Sequence, residues 1–113
     1  MAAVKAEFWQ RGEALDYTNP TEATIPAGTV VKIGTVLGVA GCDIEPHKVG
    51  SLHVGGVWEM PKEGSLDVAM GDELYLAESA GNITKTSGGN VKCGYAAAPS
   101  ATAETTVLVK LYG

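Results

Sequence analysis

Residues 25–62 read IPAGTVVKIGTVLGVAGCDIEPHKVGSLHVGGVWEMPK, and no amphipathic helical period survives three turns anywhere in them. Short β-branched runs are cut every few residues by Gly or Pro, the pattern of extended segments joined by tight turns. Ile25-Pro26-Ala27-Gly28 places Pro and Gly where a type I or II turn takes them. Residues 29–33 then predict a strand, Gly34 a turn, residues 36–40 a second strand and residues 41–46 a loop. Residues 52–60 predict one further strand, kinked or bulged at Gly55-Gly56 and ended by Pro61. Along such a strand Leu52, Val54, Gly56 and Trp58 share a parity, which predicts Trp58 in the core.

Outward from this segment the same grammar continues. Residues 66–70 fit either a single helical turn or an extended piece. Residues 73–76 alternate as a strand, 80–82 turn, 83–86 extend, 87–90 turn again and 91–97 extend. A soft loop at 98–103 leads to residues 105–112, where Val107, Val109 and Leu111 alternate with Leu108, Lys110 and Tyr112. At the other end, Val4, Ala6 and Phe8 fall on one side of an extended segment, with Lys5, Glu7 and Trp9 on the other. Gly12 breaks that segment, residues 15–18 resume it, and Asn19-Pro20 turns. The sum is eight or nine short strands with at most one helical turn. No internal repeat or linker divides the chain, so residues 1–113 predict a single all-β domain, a small barrel or sandwich of β-clip or β-tulip type.

Composition narrows the chemistry. With 45% apolar and 19% charged residues among 113, the chain can bury a core. Its net charge is -5, and its eight Lys and Arg are scattered, which argues against binding nucleic acid through phosphates. The start MAAVKAEFWQ lacks the apolar stretch of a signal peptide, and no segment is long enough to span a bilayer, so no membrane partner is expected. Cys42 and Cys93 are expected as free, buried thiols. His47, His53, Cys42 and Cys93 lack the close pair spacings of a zinc site, so no metal is predicted; His47 reads as a turn residue and His53 as an outward strand residue. Gly34, Gly38 and Gly41 have the wrong spacing for a dinucleotide fingerprint, and Ser87-Gly88-Gly89-Asn90 lacks the Lys-Ser/Thr of a phosphate loop, so no cofactor is predicted. Most of the 13 carboxylates flank turns, where they are solvated, and no catalytic residue is indicated.

The order of these motifs is itself informative. Phe8-Trp9-Gln10-Arg11-Gly12, Leu15-Asp16-Tyr17-Thr18-Asn19 and Ile25-Pro26-Ala27-Gly28-Thr29-Val30-Val31 open the chain. Gly38-Val39-Ala40, Asp43-Ile44, Gly50, Gly56-Val57 and Pro61-Lys62 follow. Gly71-Asp72, Leu74-Tyr75, Gly81-Asn82-Ile83-Thr84, Gly94-Tyr95-Ala96 and Val107-Leu108-Val109-Lys110-Leu111 close it. In this order the chain resembles, over nearly its whole length, the small capsid cement, or head decoration, proteins of tailed phages and prophages. The resemblance implies a non-enzymatic structural protein, made in the bacterial host cytoplasm and carried on the outer capsid surface of the virion. It also implies that the major capsid protein of the head is the partner, that neighbouring capsomers are locked together, and that the protein sits there as a homotrimer.

Two placements compete for the first residues. The clean alternation favours the first strand of the chain's own sheet, with Phe8 in the core. The other placement makes residues 1–12 a capsid-binding arm that adds a strand to the shell protein, with Val4, Ala6, Phe8, Trp9 and Arg11 as its contacts. Tyr112 is a candidate for a subunit interface. A β-clip-type module that binds carbohydrate or serves a larger assembly, and a small hydrolase with paired carboxylates, are the rival functions.

Overall fold

The IPAG turn and the Gly34-Thr35 break set up the first sheet. Thr29 N–H donates to the Pro26 carbonyl at 3.2 Å, and Gly28 occupies the third turn position with φ 86°, a left-handed value that glycine adopts without strain. The turn thus lies one residue later than the Ile25–Gly28 reading put it. The computed structural model describes residues 3–112. In it β1 (Ala14–Thr18), β2 (Val30–Ile33), β3 (Val36–Ala40) and β4 (Val49–His53) form an antiparallel sheet in the order β1-β4-β3-β2. The second half of the chain supplies β5 (Val57–Pro61), β6 (Glu73–Ala77), β7 (Asn82–Thr84), β8 (Val91–Ala96) and β9 (Thr106–Leu111). These make a second antiparallel sheet, ordered β5-β9-β8-β6-β7. Among the described residues there are nine strands and no helix. The chain is therefore all-β, as its punctuation predicts, and residues 66–70 hold no helical turn: Val68 bridges Ser100, and Met70 enters the turn that the Asp72 N–H closes on the Ala69 carbonyl.

One core joins the sheets. Leu37 and Val39 of β3 pack with Met60, Val68, Leu74, Ile83, Cys93, Ala96, Val107, Val109 and Leu111. The alternation read in β9 is what delivers three of these inward, because successive side chains of a strand point to opposite faces. On the first sheet, Leu52 is wholly buried and lies so close over Gly38 that a Cβ there would stand 2.6 Å from Leu52 Cγ. A side chain at position 38 would push the two strands apart.

Two polar side chains pin the loops. Asn19, fully buried, donates to the carbonyls of Ala23 at 2.8 Å and Ile44 at 2.9 Å, and its Oδ1 accepts from Thr21 N–H at 2.9 Å. Lys62, only 6% exposed, directs Nζ at three carbonyls: Ala101 at 2.6 Å, Leu66 at 2.7 Å and Ser100 at 3.2 Å. Each satisfies a buried donor or acceptor that a loop would otherwise leave unpaired.

Four expectations are corrected. Residues 52–60 are not one kinked strand: Gly55-Gly56 is the crossover at which the chain leaves the first sheet and enters the second. The parity of Leu52 therefore says nothing about Trp58, which is half-buried against the core rather than within it. Residues 3–12 belong to neither sheet, and Phe8 is 84% exposed, so the first-strand placement with Phe8 in the core fails. Met1 and Ala2, part of the arm as read from sequence, lie outside the described residues, as does Gly113. Cys93 is buried as expected, but Cys42 is exposed.

Candidate functional site

The exposed N-terminal segment and the cleft at its root form the most distinctive surface. Val4, Phe8 and Trp9 are 87%, 84% and 87% exposed, a concentration of large apolar area on one short extended piece. Water-exposed aromatics in adjacent positions are what an interface leaves bare before its partner arrives. Ala6 and Arg11 are exposed beside them, and Arg11 Nη2 lies 3.4 Å from Glu13 Oε1. The structure thus strings all five residues of the predicted arm along one unpaired segment.

At the base of that segment a cleft of about 820 Å³ opens between the two sheets. It is lined by residues 11–13 at the end of the exposed segment, by His53 at the end of β4, by the Gly55-Gly56 crossover with Val57 and Trp58, and by Lys110 of β9. Trp58 is held in place by donating its indole N–H to the Gly55 carbonyl at 2.8 Å, and its ring lies 5.6 Å from the His53 ring. His53 is thus a cleft residue, half-buried, rather than an outward strand histidine. The sequence hid this cleft because its walls come from three separate stretches, residues 11–13, 53–58 and 110, that only the two-sheet arrangement brings together.

Tyr112 sits in a second surface group. Its ring lies 6.1 Å from Tyr95, Lys92 Nζ stands 5.1 Å over it, and its hydroxyl donates to Glu73 Oε1 at 3.3 Å. Glu73 also accepts from Tyr75 at 3.1 Å and pairs with Lys92 at 3.4 Å. The Tyr75 hydroxyl and then the Lys92 ammonium hold the Glu73 carboxyl below its ordinary range, and Glu73 in turn raises Tyr75 and Lys92. Asp72 is lowered mainly by the Ala69 backbone N–H, with Lys85 assisting. A general acid needs the opposite shift, so neither carboxyl is tuned for that role. Glu73, Lys92 and Tyr95 escaped the sequence analysis because their meeting depends on the irregular register of β6 and β8 between Leu74 and Tyr75.

The residues weighed for metal or nucleophilic chemistry are dispersed. His47, in a left-handed turn at φ 62°, faces Glu22 at 3.0 Å. Burial pushes the Cys93 thiol up to about 11, and it donates to the Leu74 carbonyl at 3.3 Å. Among the described residues no three His, Cys, Asp or Glu side chains gather as metal ligands.

Compared with known proteins, the chain matches the family model described as phage cement protein over residues 9–111. That span takes in all nine strands and begins at Trp9, inside the exposed segment. No curated protein and no solved structure matches the chain.

Proposed function

The chain belongs to the phage cement protein family, a structural rather than enzymatic family associated with the phage capsid, and on that premise we propose that it binds the outer surface of the assembled head and ties neighbouring capsomers together. The two-sheet core is the rigid plug and residues 2–11 are the tether, which adds a strand to the major capsid protein. Val4, Ala6, Phe8, Trp9 and Arg11 are its contacts. What carries this reading is the tether's exposure: Phe8 and Trp9, at 84% and 87%, belong to no sheet of this chain. Extended segments of this kind gain main-chain hydrogen bonds along a partner's sheet edge and specificity from alternate side chains. The Tyr95–Tyr112 pair, part apolar and part charged, suits the contact between copies of a homotrimer, which lets several tethers engage at once.

Deleting residues 2–10 tests the reading. The truncated protein is expected to fold with its melting temperature within a few degrees of the intact chain, because no core residue is removed. Co-sedimentation with undecorated heads should be lost, and the heads should burst at the same temperature with or without it. Saturable binding by the truncated protein at the affinity of the intact one would refute the tether.

A further inference from the structure

We infer that the cleft between the sheets is a second receptor on the same face, built to take an extended acidic segment of the shell protein. The inference rests on the tether reading, because the tether leaves from the cleft's own rim: Arg11 and Gly12 line the cavity and end the exposed segment. A shell strand paired with the tether is therefore carried across the mouth of the cleft, and the two surfaces are continuous.

Charge selects the occupant. The whole chain has 13 acidic and eight basic side chains. Along the cleft the balance reverses: Arg11 and Lys110 line it with Glu13 as the one carboxylate, and because Glu13 is paired with Arg11, Lys110, whose ammonium donates to the Leu111 carbonyl at 2.8 Å, is the uncompensated charge. A local cation on an otherwise acidic molecule gives an acidic segment a point of attraction that most of the remaining surface does not offer. Shape selects an extended backbone. The Gly55-Gly56 crossover lines the cleft with its carbonyls already taken by the Trp58 indole and the Leu111 N–H, so the backbone open to an extended segment is the edge of β5 at Val57, the terminal strand of its sheet. Trp58, fixed by its bond to Gly55, offers a flat apolar wall against which one side chain of the segment can lie.

The test is binding of full-length variants to undecorated heads at low and moderate salt. Lys110→Glu and, as a second variant on an exposed wall, Val57→Glu each place a carboxylate in the cleft. Lys48→Glu, exposed in the loop before β4, changes net charge equally at a remote position. With folding checked by circular dichroism, the cleft variants are expected to bind about tenfold or more weakly with a flatter salt dependence, and Lys48→Glu to bind as the parent does. If both cleft variants bind like Lys48→Glu while deletion of residues 2–10 still abolishes binding, the cleft inference falls and the tether stands. If the deletion leaves binding intact, both fall. In a Trp58→Phe background Trp9 is the remaining tryptophan. Shielding of its fluorescence from acrylamide in the free protein would assign the cleft to the chain's own tether and overturn the inference. Shielding that appears only on self-association would assign it to a second copy, with the same consequence.

Discussion

Replacing Lys62 by Met removes the ammonium but keeps an unbranched stem of similar length, so it isolates the three carbonyl contacts. Those contacts are unequal. The bond to Ser100 is buried, whereas those to Leu66 and Ala101 are part-buried, so water can replace the ammonium at the last two. A buried carbonyl left without a partner loses about 1–3 kcal/mol, and each water-accessible one about 0.5–1.5 kcal/mol. The expected loss is therefore about 2–6 kcal/mol, a large part of the roughly 5–15 kcal/mol that holds a domain together. At about 4 °C per kcal/mol for a chain of this length, the melting temperature should fall by about 8–24 °C. Thermal unfolding followed by circular dichroism measures it. Amide exchange locates it, because Val68 and Ser100 exchange two backbone bonds of 2.9 Å beside the same loop and should lose protection first. A fall of less than about 4 °C, or unchanged protection at both amides, would show that the ammonium is a passenger rather than a pin.

Two further outcomes follow from the shifted groups. Asp72 and Glu73 are both lowered from their ordinary 3.8 and 4.5, so their stabilisation is complete above those values and lost as pH falls below them. Thermal melts across this acid range should show stability falling, with Glu73→Gln flattening the slope; an unchanged slope refutes the role of Glu73. Cys42 is exposed whereas Cys93 is buried with its thiol raised to about 11, so a thiol reagent at mild alkaline pH should modify Cys42 alone in the folded protein and both after denaturation. Equal labelling of the two by mass spectrometry refutes it.

The sequence revealed what local chemistry dictates. Glycine and proline punctuation marked the strand ends, and the alternation of Val107, Val109 and Leu111 correctly predicted a buried face. It misled where a tertiary partner decides. Residues 52–60 carry the same local signal whether Gly55-Gly56 bends one strand or passes the chain between sheets, and the second possibility moved Trp58 and His53 into a cleft. Residues 4–9 alternate as cleanly as a core strand does, because alternation records an extended chain with a buried face without saying whose sheet buries it. Lys62 and Asn19 look like surface residues in sequence, since their burial depends on carbonyls supplied by distant loops.

Magnitudes then decide how the proposed tether can hold. Ordering an extended residue costs about 1–2 kcal/mol, while each strand hydrogen bond returns about 0.5–1.5 kcal/mol net, so backbone pairing roughly cancels itself. Burying Phe8 and Trp9 adds about 1.5–3 kcal/mol each, leaving about 3–6 kcal/mol, an affinity between roughly 5 mM and 50 μM for one tether acting alone. Stable decoration therefore needs either a surface beyond the tether or several tethers acting together. The cleft is a surface of the first kind, adjoining the tether at Arg11. Linking tethers through a trimer is the second, and strengthens binding by about 10² to 10⁴ without any new contact. The rigid core matters to the proposal for this reason: a plug that fixes where the tethers emerge is what would turn weak aromatic anchors into a clamp across neighbouring capsomers.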